Sequence, residues 1–359
     1  MRYFFWFYFF NILVFGQEQK YWYPFYVSDT INNPLSESVG FKDYKGSIEI
    51  KPIYASHLTP NKRFERIVAL GQYQKSHFYI NKQGKKFGID SLFSYDNMYD
   101  CESEGFIRFH NHKADKVGMF NTNGKISISD EYNYLSSVIN GMVIALKGAE
   151  KKIYENGEHF EWVGGKHLLI DTNNNVLLEI ENIKDFYNLN LFSIEKGKKP
   201  SENLVRKSFL AKDGNYISFI DFELEFINWL KKELLVNLTR ENLLQNSYES
   251  IYWYSNHKNK KWSKEKYLNK NFEIVKTELN RILDSKTDYF ISIGGLYGLD
   301  SNEEKLFDKY FDNCGNLNEN KYPSISIIIN NRNNNDLYQN HLEFLRTEYG
   351  YKLIRVIIN

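Results

Sequence analysis

A polar turn recurs five times between residues 38 and 220, and its spacing constrains the fold more than any other feature of the chain. Five segments align around it without gaps: VGFKDYKGSIEI (39–50), HFYINKQGKKFG (77–88), VGMFNTNGKISI (117–128), HLLIDTNNNVLL (167–178) and SFLAKDGNYISF (208–219). In the last, Lys207 takes the first column and the match begins one column late. The turn residues are Gly46, Gly84, Gly124, Asn174 and Gly214, which lie 38, 40, 50 and 40 residues apart. In each segment an apolar run meets a polar pair, and Gly or Asn then supplies the left-handed conformation that a tight hairpin turn needs. A second strand with period-2 alternation follows, as in Ile48 and Ile50 or Ile126 and Ile128. Asn174 is the one non-glycine at this position, and Asn tolerates positive φ best among the alternatives.

A third strand is predicted to begin 16–20 residues after the turn, in FERIVAL (64–70), EGFIRF (104–109), NGMVIAL (140–146) and NLFSIEK (190–196). The 50-residue interval has a local cause: Gly148–Gly165 carries an insertion that predicts a protruding hairpin turning at Asn156-Gly157. A single such unit cannot bury its apolar face, so neighbours must stack into a quasi-one-dimensional array. The expected fold is a β-rich repeat array of stacked hairpins and meanders, an open twisted solenoid, with a propeller-like ring as the alternative. The count of about five and the lack of a closing segment favour the open form.

GSIEIKPIYASH (46–57) and VGMFNTNGKISISDEYNYLSSVINGMVIALKG (117–148) resemble the WG-repeat family of bacterial proteins. That family's pattern is a Trp-Gly pair, a strand, an Asp/Asn-x-x-Gly-Lys turn, a strand, a Pro-x-Tyr-Asp element and a Gly-containing third strand. Lys51-Pro52-Ile53-Tyr54 matches the Pro-x-Tyr element. Val39-Gly40 and Val117-Gly118 stand at the Trp-Gly position with Val for Trp, while His77-Phe78 and His167-Leu168 keep neither residue. The signature Trp is absent throughout, so these are degenerate repeats over about half the chain. The resemblance implies binding or scaffold modules and carries over no catalytic residue.

The 359 residues suffice for two domains of ordinary size. Aromatic residues reach 17%, which leans the composition towards strands. The net charge of +1 provides no global field for nucleic acid or an anionic membrane. Met1-Arg2 precedes an apolar run at 3–15, and Val14 and Gly16 stand at −3 and −1 of a cut before Gln17. This matches a secretory signal peptide, and the run is too short to span a bilayer comfortably. The expected destination is secreted or periplasmic, by a bacterial periplasmic or a eukaryotic extracellular route, with no stable membrane span after removal of residues 1–16; the WG-repeat resemblance implies a bacterium. Cys101 and Cys314 are assigned to different domains on this reading, show no metal-ligand spacing, and are expected as free structural thiols.

After residue 220 the pattern changes. DFELEFINWLKKELL (221–235) and NFEIVKTELNRIL (271–283) have helical spacing, and Thr239 precedes a short capped helix. SNHKNKKWSKEK (255–266) reads as a loop. Strands at 288–294, 322–330 and 352–359 alternate with helices expected at 302–311 and 334–350, an α/β or α+β domain over 221–359. The expected organisation is thus a signal peptide at 1–16, an N-terminal extension at 17–37, the repeat domain at 38–220 and this C-terminal domain.

Each constellation that could carry chemistry has a simpler structural account. Ile293-Gly294-Gly295-Leu296-Tyr297-Gly298 sits where a phosphate loop would, but lacks both G-x-G-x-x-G and a following Lys-Ser/Thr, so it reads as a turn. His110 and His112, flanking Asn111, have no third ligand nearby and read as loop histidines. Asp221, Glu223 and Glu225 complement a helix dipole. Lys258, Lys260, Lys261, Lys264 and Lys266 around Trp262 read as a solvated loop, and Tyr252-Trp253-Tyr254 as core rather than a sugar platform. No catalytic, cofactor-binding or metal-ligating residue is assigned. The expectation is a non-catalytic interaction or scaffold protein with a protein partner and no nucleic acid. The alternative is an enzyme or carbohydrate binder with its site in the C-terminal domain.

Overall fold

The structure, a computed structural model, describes residues 20–28, 37–72, 74–95, 98–154, 159–255, 258–294, 309–333 and 336–358. The expected signal segment, part of the extension after it, Asn156-Gly157, Gly295–Gly298 and most of the helix expected at 302–311 lie outside these residues. The protein is β-rich and forms two compact units. One comprises Met1–Glu181 with Phe311–Asn316, the other Asn182–Tyr310 with Leu317–Asn359.

All five turn residues are left-handed, with φ of 88° at Gly46, 76° at Gly84, 66° at Gly124, 66° at Asn174 and 77° at Gly214. The same bond closes each turn: the amide of that residue donates to the carbonyl three residues earlier, at 2.8–3.1 Å. In four of the five the accepting residue is Asp43, Asn81, Asn121 or Asp171, whose side-chain oxygen also accepts from the amides two and four residues on. Such an Asx arrangement holds the loop shut before the strands pair.

In the first unit each turn joins two strands of a small antiparallel sheet. The first sheet holds Tyr23–Ser28, Glu37–Lys42 and Ile48–Ala55. The second holds Ile67–Gly71, His77–Asn81 and Lys86–Phe87, and the third Phe106–Asn111, Lys116–Asn121 and Ile126–Tyr132. The fourth holds Tyr134–Leu135, Met142–Lys147, Lys166–Asp171 and Val176–Ile180. The third strand of each sequence repeat therefore pairs with the hairpin of the next repeat, as Ile67–Gly71 does with His77–Asn81.

Alternation along these strands buries both faces. Val68, Leu70, Phe78 and Ile80 of the second sheet pack with Val39, Phe41, Ile50 and Tyr54 of the first. Their neighbours Ile67, Ala69, Tyr79 and Phe87 pack with Ile107 and Phe109 of the third. Val117, Met119, Ile128 and Tyr132 then face Val143, Ala145, Leu168 and Ile170 of the fourth. Each buried Val, Leu, Ile or Phe contributes roughly 1.5–3 kcal/mol, so each pair of sheets supplies its own core. The turns also bond along the stack. Asn81 Nδ2 donates to the Thr122 carbonyl at 2.9 Å, and Tyr132 OH to Asn174 Oδ1 at 2.7 Å.

A sixth turn of the same kind lies far along the chain. Gly315 has φ of 85°, its amide donates to the Asp312 carbonyl, and Asp312 Oδ1 accepts from the amides of Cys314 and Asn316. This segment belongs to the first unit: the Lys62 and Arg63 amides donate to the Asn313 carbonyl, and Asn313 Nδ2 donates to Glu65. It also brings Cys314 to Cys101, and the two form a disulfide with Cα atoms 6.2 Å apart. The expectation of free thiols in separate domains is thereby corrected. The bond is compatible with an oxidising compartment.

The second unit opens with the fifth turn, in a sheet ordered Leu189–Gly197, Tyr216–Asp221, Arg206–Leu210. Asp221 caps helix α1 (Phe222–Trp229), accepting from the amides of Glu223 and Leu224, and the helix continues as a π turn over Leu230–Leu234. Helices α2 (Arg240–Gln245) and α3 (Lys264–Arg281) start at the side-chain caps Thr239 and Ser263. A six-stranded sheet runs in the order Lys258–Ser263, Ser247–Ser255, Gly350–Ile357, Asp336–Thr347, Ser324–Asn333, Tyr289–Ile293. Only Ser247–Ser255 and Gly350–Ile357 pair in parallel, so the arrangement is α+β. Two expectations are corrected. The 255–266 stretch is a hairpin strand followed by the start of α3. The helix expected at 334–350 is a strand, with Leu342 and Phe344 in the core on one face and Glu343 on the other. Among the described residues no helix is long and apolar enough to cross a membrane.

Candidate functional site

Two faces of the molecule carry side chains that packing alone does not explain. The first lies on the six-stranded sheet. Its core side carries the row Ile291, Ile327, Leu342, Val356 and Trp253, each residue paired to the next across the strands and all packed with the helices' apolar residues. One residue along each strand, the opposite face carries Ser292, Ser326, Glu343, Arg355, Tyr252 and Lys261, again in direct register across all six strands. Period-2 alternation thus sets an apolar row and a polar row back to back.

The polar row borders a cavity of about 370 Å³ lined by Ser292, Gly294, Ser326, Ile328, His341, Glu343, Arg355 and Ile357. Glu343 is 2% exposed. An Arg355 Nη lies 3.8 Å from its carboxylate, an ion pair but longer than a hydrogen bond. Burial, reinforced by the Arg355 charge, holds the His341 imidazole below its ordinary range, so it is neutral at pH 7. The pocket is thus lined by an arginine, a glutamate, a neutral imidazole, two adjacent serines and two isoleucines.

The second face is the insertion in the first unit. Glu150–Ile153 and Phe160–Val163 form a two-stranded sheet of their own. Lys151, Ile153, Phe160 and Trp162 share one face by register. Ile153 is 62% exposed and Phe160 50%, and Val163 and Tyr154 are also exposed. Lys151 stacks over the Phe160 ring at 4.2 Å and pairs with Asp115 at 2.8 Å, which ties the hairpin to the Phe106–Lys116 hairpin. The Lys151 bond, helped by His110, holds the Asp115 carboxyl below the usual range.

The residues singled out in sequence are mostly accounted for by architecture. His110 pairs with Asp115 at 3.0 Å and stacks edge-on to His112, and among the described residues no group of three or more His, Cys, Asp or Glu could hold a metal. Asp221 is a helix cap, and Glu225 takes Arg346 in two bonds and Tyr351 OH in a third. Lys260 and Lys261 stand on the edge strand over Trp253 and Tyr252, and Lys266 lies over Trp262. Lysines on an edge strand also discourage sheet-to-sheet association. Tyr252-Trp253-Tyr254 splits across the sheet, with Trp253 on the core side against Trp262. Gly294 lines the pocket, although Gly295–Gly298 lie outside the described residues. Sequence reasoning missed Ser326, Glu343 and Arg355, which no motif marks.

No family model matches the chain, and no curated protein matches it.

Proposed function

We propose that the protein is exported by a bacterial cell and acts without catalysis, as a scaffold whose first unit presents the insertion hairpin to a protein partner. The observation that carries this reading is the exposed apolar surface on that hairpin. A two-stranded hairpin is marginal on its own in water, and natural proteins blunt open strand edges. This one instead keeps Ile153, Phe160 and Val163 exposed beside unpaired edges. A partner strand added to an edge would pair its open backbone groups and cover Ile153 and Phe160 on one face and Val163 on the other.

We further read the first unit as an open stack of degenerate WG repeats. The shared turn bonding supports this, and so does the glycine of the Trp-Gly column. A Cβ on Gly40 would stand 2.4 Å from the Ile50 carbonyl oxygen, and one on Gly118 2.8 Å from that of Ile128. That column is therefore a site of close backbone approach in both repeats that retain it.

The test is affinity capture from the native organism's exported fraction, with the full chain as bait beside an Ile153→Ser, Phe160→Ser, Val163→Ser variant. Because these positions are exposed, the variant keeps its melting temperature. A partner held by the native chain and lost by the variant supports the reading; equal capture by both removes it.

A further inference from the structure

We propose that the face formed by the edge strand Lys258–Ser263 and helix α3 docks on an anionic phospholipid surface, with Lys260, Lys266 and Lys270 on the lipid phosphates and Ile274 at the headgroup boundary. This inference is independent of the partner hairpin, which lies in the other unit.

Three observations converge on that surface. The first is charge. Residues 260–276 hold six lysines against two glutamates, an excess of four in a chain whose net charge is +1. The overall balance hides this local field. The second is how the fold gathers the charge. Lys260 pairs with Trp253 and Trp262 with Ile251 across the hairpin, so Lys260 and Trp262 share the helix-bearing side of the sheet. Lys260 Nζ stands 4.8 Å from the centre of the Trp253 ring, and Lys266 Nζ and Lys270 Nζ stand 4.5 and 5.2 Å from that of Trp262. The two indoles meet edge-on with their centroids 4.7 Å apart. Three ammonium groups from a strand and two helical turns thus surround one indole pair. A ring face places a cation without neutralising it.

The third is the apolar residue beside them. Lys266, Lys270 and Ile274 follow one another at four-residue steps and form one ridge along α3. Both lysines are exposed, and Ile274 is 51% exposed. The helix buries Tyr267, Leu268, Val275 and Leu279 on its other side. By helical spacing Glu273 is the acidic residue that borders the ridge. Cations and an exposed aliphatic on one helix face suit a bilayer surface: the ammonium groups reach phosphates while the apolar side chain enters the acyl boundary. A soluble polyanion offers Ile274 nothing to bury in. A single-stranded nucleic acid needs open aromatic faces for its bases. Here Trp253 and Trp262 pack against the core and carry lysines on their rings. Each lysine at an anionic bilayer is worth about fivefold in binding, so the three supply about a hundredfold.

Co-sedimentation of the full chain with vesicles tests this. The probes are vesicles of phosphatidylglycerol and phosphatidylcholine in equal parts, vesicles of phosphatidylcholine alone, inorganic polyphosphate and single-stranded DNA. The native chain is expected to bind the mixed vesicles about a hundredfold more tightly than a Lys260→Gln, Lys266→Gln, Lys270→Gln variant, with no such difference on the neutral vesicles. Comparing these two chains isolates the face from the apolar run at 3–15, which both share. Ile274→Ser is expected to lose about fivefold on the mixed vesicles. If the triple variant fails to fold, salt decides on the native chain, where mixed-vesicle binding is expected to weaken at least about tenfold at high ionic strength. Absent or salt-independent binding to the mixed vesicles, equal binding by the native chain and either variant, or tighter binding of polyphosphate or DNA would each overturn the proposal.

Discussion

The recurring turn makes a quantitative prediction, because two of its glycines share a conformation and differ in surroundings. Gly46 has φ of 88° and Gly124 of 66°. Alanine at either position must adopt the left-handed region at a cost of about 1–2 kcal/mol. Around Gly46 a Cβ would meet nothing within 4 Å, so that cost is the whole effect. At Gly124 the same atom would lie 2.6 Å from Phe87 Cγ and 3.0 Å from its Cβ. These are the root of the side chain, so the ring cannot swing clear. Phe87 is itself wedged edge-on against Phe120 and tilted against Tyr79. Overpacking of this kind adds about 1–3 kcal/mol. Gly46→Ala is thus expected to cost about 1–2 kcal/mol and Gly124→Ala about 2–5 kcal/mol. In a unit of this size each kcal/mol lowers the melting temperature by about 2–4 °C. Calorimetry on both variants of the full chain reads the difference directly. If Gly124→Ala melts within 1 °C of Gly46→Ala, the turn does not rest on Phe87 and the reasoning fails.

Other variants probe other elements. Gly46→Asn is expected to cost less than about 1 kcal/mol, since Asn174 already holds this conformation with φ of 66°; a loss equal to that of Gly46→Ala would contradict it. Cys314→Ser removes a covalent link between residues 213 apart and is expected to destabilise the protein by about 2–5 kcal/mol, matched by reductant on the native chain. Peptide mapping without reduction should recover the Cys101–Cys314 pair. Because Asp115 has a lowered pKa, its contribution to holding the hairpin is complete above the ordinary aspartate value of about 3.9 and fades as pH falls through the lower native value. Trp162 fluorescence should follow that acid transition, and Lys151→Met should move it upward. Glu225→Gln breaks the charged bonds to Arg346 and is expected to cost about 1.5–3 kcal/mol in urea unfolding.

The turns were readable because positive φ leaves few residue choices, and the insertion because it broke a regular interval. The phase of the sheets was not, since which hairpin a third strand joins depends on the next repeat. The sixth turn carries the same Asx-x-x-Gly signature at Asp312–Gly315. It stands about a hundred residues from the others and without their flanking strands, so the repeat interval marks neither it nor the disulfide. The stretch 334–350, expected as a helix, holds the strand Asp336–Thr347. Pairing with a neighbour on each side overrode that expectation. The polar pocket was illegible for a related reason: Ser292, Ser326, Glu343 and Arg355 meet only through strand register.

The offset between sequence repeat and sheet also governs how the chain can be shortened. A cut between His57 and Phe64, at the end of the first sequence repeat's hairpin, keeps Ile67–Gly71 with the strand it pairs to. A cut just after Gly71, where the sequence repeat ends, takes the edge strand from the second sheet. A shortened chain therefore keeps complete sheets only when cut in the structural frame. Tandem duplication of a whole repeat balances in either frame, because each added third strand pairs with the hairpin that follows it.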